Sequence, residues 1–249
     1  MTIQVLVAST NQSNHDLLDK MNIQSDAIVG NQCGFNSIEE FKYKGHSVTY
    51  LNFNEKGVGL NRNNALMRAS ADICLFADDD MRYVDGYSEL IENAFKNNPN
   101  ADVIVFNVTG RKPIKKKQRV HRTNYFRYGT VRIAIKLESV RREGIFFNQC
   151  FGGGTPHCHG EDNLFLTDCL NKKLKIFAVP LLLAELLDDR PSSWRDIEIN
   201  KYLKDQGVLY KVISKRWWKL LCFIDSFRRH KQYGCSFLKA YKIMTKKNK

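Results

Sequence analysis

Three consecutive carboxylates, Asp78-Asp79-Asp80, follow directly on the apolar run Ile73-Cys74-Leu75-Phe76-Ala77. Adjacent acids repel one another and are poor strand formers, so their place at the end of a buried strand needs a cause. A divalent cation would relieve the repulsion, and Mg2+ or Mn2+ favours such oxygen ligands and shares them with substrate phosphates. The competing reading is an acidic loop solvated at a strand end. A second acidic pair, Glu161-Asp162, stands between Gly160 and a helical periodicity over residues 163–170. Acids are favoured at a helix start by the dipole, and a carboxylate so placed can also act as a general base.

Two further clusters carry weaker chemistry. His157-Cys158-His159 offers two alternating imidazoles, but a zinc site needs more ligands from a second cluster and the sequence shows none. A structural or acceptor-loop role is expected for His157. The turn Gly152-Gly153-Gly154 would let a ligand approach the backbone closely at Gly153 and Gly154, or would only reverse the chain. Rival chemistries for the Asp triplet fail. No G-x-x-x-x-G-K-[ST] is present to cradle phosphates, and an aspartyl nucleophile would stand on the first strand, whereas several elements precede the triplet here.

The elements that must position these residues alternate. Apolar runs at residues 3–8, 27–29, 48–51, 73–77 and 103–106 read as strands. Residues 16–21, 59–69 and 87–95 between them read as helices. The alternation predicts an α/β fold with a mainly parallel sheet flanked by helices. Ligands bind such sheets at the carboxyl ends of the strands, where Ser9-Thr10, Asn31-Gln32 and the Asp triplet all fall.

The 249 residues suit one large domain with appendages. No apolar run approaches the length of a spanning helix, and residues 176–187 are broken by Pro180 and Glu185. The first residues lack the basic segment of a signal peptide, and seven cysteines without CxxC spacing suit a reduced, cytoplasmic protein. The net charge of +13 is concentrated: residues 111–142 and 211–249 each hold 12 Lys/Arg against one acid, leaving a body of −9. Residues 111–122 read as a mobile lid over a diphosphate, as contact with an anionic acceptor, or as a solvated loop. No nucleic-acid recognition motif accompanies them, and no nucleic-acid partner is expected. In the last block Trp217, Leu221, Ile224 and Phe227 share one helical face amid basic residues, as on a helix lying in a membrane surface or packing on protein.

Gly59-Leu60-Asn61-Arg62-Asn63-Asn64-Ala65, the strand ending in Asp78-Asp79-Asp80, and Gly160-Glu161-Asp162-Asn163 together resemble the family-two glycosyltransferases of the GT-A fold. They look most like bacterial members that build capsular or exopolysaccharide units. The resemblance spans about residues 2–210 and implies an inverting transfer from a nucleotide-sugar, with a UDP-sugar expected, to a glycan or lipid-linked glycan. It places Ser9 and Thr10 at the nucleobase, Arg62 on the nucleotide, Asp78 at the ribose with Asp79 beside it, Asp80 on Mn2+ or Mg2+, and Asp162 as base beside Glu161. Where the family has an Asp-rich turn this chain has Asn31-Gln32-Cys33, whose amides could pair with a pyrimidine. Asp188 and Asp189 are weak candidates for a further metal ligand.

The sequence therefore predicts a GT-A-like domain over residues 1–210, divided near 107 into nucleotide and acceptor halves, and a basic helical extension over 211–249. The extension would hold the enzyme on the inner face of an anionic cell membrane. The alternative function is a non-catalytic protein binding nucleic acid or anionic glycan.

Overall fold

The computed structural model describes residues 1–187 and 198–246; Asp188 and Asp189 lie outside the described residues. The first half runs β1 (Ile3–Thr10), α1 (Leu17–Lys20), β2 (Asp26–Gln32), β3 (Ser37–Tyr43), β4 (His46–Phe53), α2 (Val58–Arg68), β5 (Ile73–Asp78), β6 (Met81–Tyr83), α3 (Tyr87–Lys96) and β7 (Val103–Val108). The second half adds β8 (Gln118–Arg119), β9 (Ile133–Lys136), α4 (Leu137–Arg142), α5 (Glu161–Asn171) and β10 (Ile176–Leu186). Three helices follow, α6 (Ile199–Ile213), α7 (Trp218–Arg229) and α8 (Phe237–Thr245).

One ten-stranded sheet has the order β3-β4-β2-β1-β5-β9-β7-β10-β6, with β8 paired to β10. The expected α/β fold is present. Strands β4, β2, β1 and β5 are parallel, as the sequence predicted. The sheet is mixed beyond them, because β9 runs antiparallel between β5 and β7, and β3 and β6 are antiparallel edges.

Strand periodicity sorts the core into two layers. Val5, Val7, Leu75 and Ala77 face one cluster with Leu18, Tyr87, Ile91 and Phe95 of α1 and α3. Leu6, Cys74 and Phe76 face the other, with Leu66 of α2, Val140 of α4 and Phe165 of α5. Burial on both sides explains why β1 and β5 are almost unbroken apolar runs.

Helix α2 is keyed to the strand ends by amides. Asn61 Nδ2 donates to Gly30 O at 2.9 Å and to Ser9 O at 3.2 Å. A Cβ at Gly30 would collide with the Asn61 side chain, so only glycine lets the helix sit this close. Asn63 exchanges two hydrogen bonds with the backbone of Phe147, at 2.9 and 2.8 Å.

Helices α6, α7 and α8 pack together around Leu203, Tyr210, Cys222, Ala240 and Met244. The boundary expected at residue 210 falls inside α6. Leu209 of the same helix is buried against Phe151 and Leu164, tying this unit to the sheet domain.

Candidate active site

The parallel pairing of β1 and β5 brings Ala8 opposite Asp78, so the first turn and the Asp triplet lie at one edge. The chain reverses through Asp79 and Asp80 into β6, and Leu187 N donates to Asp80 O at 2.7 Å. Burial, then the charges of Asp78 and Asp79, push the Asp80 carboxyl above the ordinary range; Arg111 partly offsets this. Among the described residues no group of three or more His, Cys, Asp or Glu is arranged as a metal cage.

Arg62 is the centre of the site. Its side chain is only 3% exposed, and Nη2 donates to Asp78 at 2.7 Å. Nη1 donates to Glu161 at 3.1 Å and to Asp162 at 3.3 Å. The guanidinium carbon lies 5.4 Å from the centre of the Phe147 ring, which stacks on Phe165 at 4.4 Å. Burial alone would lower the Arg62 pKa, but Asp78, Asp162 and Glu161 together hold it above the ordinary value. Facing them inward, it grips these carboxylates rather than standing open to a nucleotide as the resemblance implied. Three carboxylates on one cation leave a negative excess when all are ionised. For Glu161 burial, then the neighbouring Asp162 charge, outweighs Arg62 and pushes the carboxyl up to about 7.

Gly160, at a left-handed φ of 112°, opens α5 so that Glu161 and Asp162 form its first turn. The two acids diverge in exposure: the Glu161 side chain is 8% exposed and Asp162 30%. Thr130 Oγ1, on a 3-10 turn ahead of β9, donates a close hydrogen bond to Asp162. Nothing in the sequence singled out Thr130, because the contact closes a loop between segments with no shared motif.

On the donor side the structure redistributes the expected roles. Thr10 and Asn11 are exposed, with Asn11 in the left-handed region. Ser9 is buried and its hydroxyl donates to Gly30 O at 3.1 Å. Asn31 is wholly buried: it accepts from Gln12 N at 2.9 Å and donates to Gln12 O and Asn52. Gln32 Nε2 donates to Glu55 O at 2.7 Å and Gly57 O at 3.3 Å. The side-chain amides of Asn31 and Gln32, expected to meet a base, are bonded within the loops around the site, Asn31 because its burial demands partners within the protein. Gln12, which the sequence did not single out, donates to Asp79 Oδ2 at 3.0 Å and fixes the triplet to the first turn.

On the acceptor side, Gly153 O accepts from Val58 N at 3.0 Å, seating the glycine turn on the start of α2. A Cβ at Gly152 would press on Val58 and Glu161, and one at Gly154 on the Gly57 backbone. Gly153 alone has open space beside it. Close approach of Gly154 is therefore to the protein's own backbone. His157 Nδ1 lies 3.1 Å from Asp205 of α6, whose other oxygen accepts from Cys158 N at 2.9 Å and Lys201 Nζ at 2.9 Å. Against the cost of burial, the bonds from Cys158, His157 and Lys201 hold Asp205 down at about 2. The His159 ring packs at a tilt against Tyr202 of the same helix, centres 4.2 Å apart. Both imidazoles of the His-Cys-His run are thus held by α6.

The basic segment is seated on the body. Ile114 is buried, donates to Asn107 Oδ1 at 2.7 Å and accepts from Asn107 Nδ2 at 3.1 Å. Farther on, β8 pairs with β10, and Val120 N bonds Ile176 O. These anchors seat the segment at Ile114 and Val120, while Lys112, Lys115, Lys116 and Lys117 around and between them stay exposed. Two of the arginines of residues 111–142 are structural: Arg132 donates to Phe106 O at 2.7 Å, and Arg141 to Ala69 O at 2.6 Å beyond the end of α2.

A search of curated sequences returned no significant match. Among solved structures, the chain is similar to S. aureus TarS 1-349 in complex with UDP-GlcNAc, with TM-score 0.64 and 13% identity over 99% of this chain and 76% of that one. The complex of the same fragment with UDP gives 0.62 and 14%, covering 94% and 74%. Against the longer S. aureus TarS structure the score is 0.62 at 13% identity, and this chain, 99% covered, spans 46% of that one. At such identities the likeness establishes the fold. The sequence profile described as Glycosyl transferase family 2 matches residues 36–169, more than half of the chain. The chain belongs to glycosyl transferase family 2.

Proposed function

We infer that this glycosyltransferase moves a sugar from a UDP-sugar to an acceptor hydroxyl, inverting the anomeric centre, during assembly of a surface polysaccharide. The observation that carries the mechanism is the unequal exposure of two adjacent acids. Glu161 is turned onto Arg62 at 8% exposure, whereas Asp162 keeps 30% and can meet a hydroxyl. Asp162, held by Arg62 and Thr130, takes the acceptor proton as the oxygen attacks. Arg62 also holds Asp78, the residue the family resemblance assigns to the ribose, so one buried cation aligns donor and acceptor sides. A single open base suits one displacement, hence inversion. S. aureus TarS, a structural neighbour, is known in complex with UDP-GlcNAc and with UDP, which supports a uridine donor here.

The Asp80 carboxylate offers the hard oxygen donors that a divalent cation takes, and with no protein cage among the described residues the donor phosphates would complete the ligand set. Asp80 would hold Mg2+ or Mn2+ with the donor phosphates, and the ion would neutralise charge on the departing diphosphate. The acceptor in this reading is a glycan, free or lipid-linked, at the inner face of the cell membrane. No helix among the described residues is long and apolar enough to cross a membrane, so attachment there would be at the surface.

A screen of nucleotide sugars for nucleoside diphosphate release, with Mn2+ and after chelation, tests the activity. Asp162→Asn should bind donor normally while turnover falls about a hundredfold or more. Near-normal turnover in that variant would move the base elsewhere.

A further inference from the structure

Helix α7 buries Cys222, Asp225 and Ser226 and turns its other side to solvent. Leu220, Phe223, Ile224 and Phe227 are 48%, 46%, 41% and 65% exposed, with Trp217 at 54% before the helix and Leu238 of α8 at 62%. Their spacing makes one stripe along α7, and Phe223 meets Phe237 of α8 edge-on at 5.2 Å, so the surface spans both helices. The stripe differs from the sequence expectation in one register, because Leu221 turns partly inward against the α6–α8 core. A contiguous apolar surface of this kind marks an interaction site.

The charge around it selects the occupant. Arg216, Lys219, Arg228 and Lys239 are exposed on the same two helices and the segment leading into them. The one acid in residues 211–249, Asp225, is 6% exposed and bonded to Tyr233 and Arg229. A second copy of this surface would bring like charges together around the apolar stripe. Nucleic acid would satisfy the cations and leave the stripe wet. An anionic bilayer satisfies both, taking apolar side chains below the headgroups and Lys/Arg at their level.

We propose that the α7–α8 face seats the enzyme on an anionic lipid surface with α7 lying in the plane. The same three-helix unit holds the acceptor-side turn through Asp205, so the seat and that turn belong to one packed body. The inference deepens the membrane location proposed above and stands apart from the sugar-transfer chemistry.

Co-sedimentation of the full chain with vesicles of phosphatidylcholine and phosphatidylserine, roughly three to one, tests it. The chain should bind these and bind pure phosphatidylcholine at least about tenfold more weakly. Leu220→Ser with Phe227→Ser and Leu238→Ser should lose about tenfold or more in binding, as should Lys219→Glu with Arg228→Glu. Donor turnover with a soluble acceptor should be unchanged in both variants, which reports an intact fold separately from docking. Equal partitioning of wild type and variants would overturn the proposal. So would a wild-type dimer that the serine variant converts to monomer, or RNA binding lost only in the charge variant.

Discussion

Arg62 Nη1 lies 3.3 Å from the Asp162 carboxylate, although 100 residues separate them in the chain. The same guanidinium bonds Asp78 and Glu161, so the strand end that carries the Asp triplet and the helix start that carries the proposed base share one buried cation. Removing it would leave three carboxylates facing one another. Arg62→Met should lower unfolding free energy by about 3–5 kcal/mol, the usual cost of breaking a buried charge pair from one side. Arg62→Lys keeps the charge without the fork and should lose less. Urea unfolding of both variants, followed by circular dichroism, measures the difference; equal midpoints for wild type and Arg62→Met would contradict the network.

Legibility in the sequence followed burial and periodicity. β1 and β5 were readable because both their faces are covered, which makes each an uninterrupted apolar run. β3 was not, because it is an edge strand whose side chains are mostly exposed or half-buried, leaving no apolar period. β9 lies hidden within the basic stretch of residues 111–142. β10 reads as an interrupted apolar run because its register shifts between Ala178 and Leu182, where Pro180 stands without an N–H to offer. At the site, the Asp triplet and the Glu161-Asp162 pair were visible as residue types at strand and helix ends. The inward turn of Arg62 and the internal bonding of Asn31 and Gln32 were not, since a motif names a side chain without saying which partner it meets.

Glu161 should make stability depend on pH near neutrality. Its folded pKa of about 7 stands above the ordinary 4.5 because of burial and the adjacent Asp162 charge. Between these values the folded state binds more protons than the unfolded one. Stability from this group is therefore complete below about 4.5 and lost as pH rises through about 7. Glu161→Gln removes the titration, so its unfolding midpoint should fall less than the wild type's between pH 5 and pH 8, roughly the window of the shift. Parallel pH profiles for the two proteins would exclude the assignment.

Asp80→Asn should remove the Mn2+ dependence of donor binding while leaving the fold intact. Asp80 is half-buried at a strand end and carries little of the core. Neutralising it also removes one member of a crowded acidic run, so thermal stability without metal should be unchanged or higher. Titration of a labelled nucleotide with and without Mn2+ reads the effect; a metal-dependent affinity equal to wild type would reject Asp80 as the ligand.

Asp205 provides the last test, because it holds the acceptor-side turn from a helix of the C-terminal unit. It receives bonds from Cys158 N, Lys201 and His157, while Lys201 also reaches Pro156 O at 2.8 Å. The turn it fixes continues into the glycine run, since Gly152 N donates to His157 O at 2.8 Å and Gly153 O accepts from Val58 at α2. Asp205→Ala should loosen residues 152–158 while leaving Arg62, Asp78 and Asp162 in contact. The expected kinetic result is a split: acceptor KM rises about tenfold, whereas donor affinity and kcat at saturating acceptor change less than about threefold. Lost hydrogen bonds to a buried carboxylate should also cost about 1–3 kcal/mol in stability. Asp205→Asn, which can still accept from Cys158 N–H, should recover part of the acceptor effect. Initial rates with varied acceptor at saturating donor decide the matter. A fall in kcat with unchanged acceptor KM would place the turn in the chemical step instead.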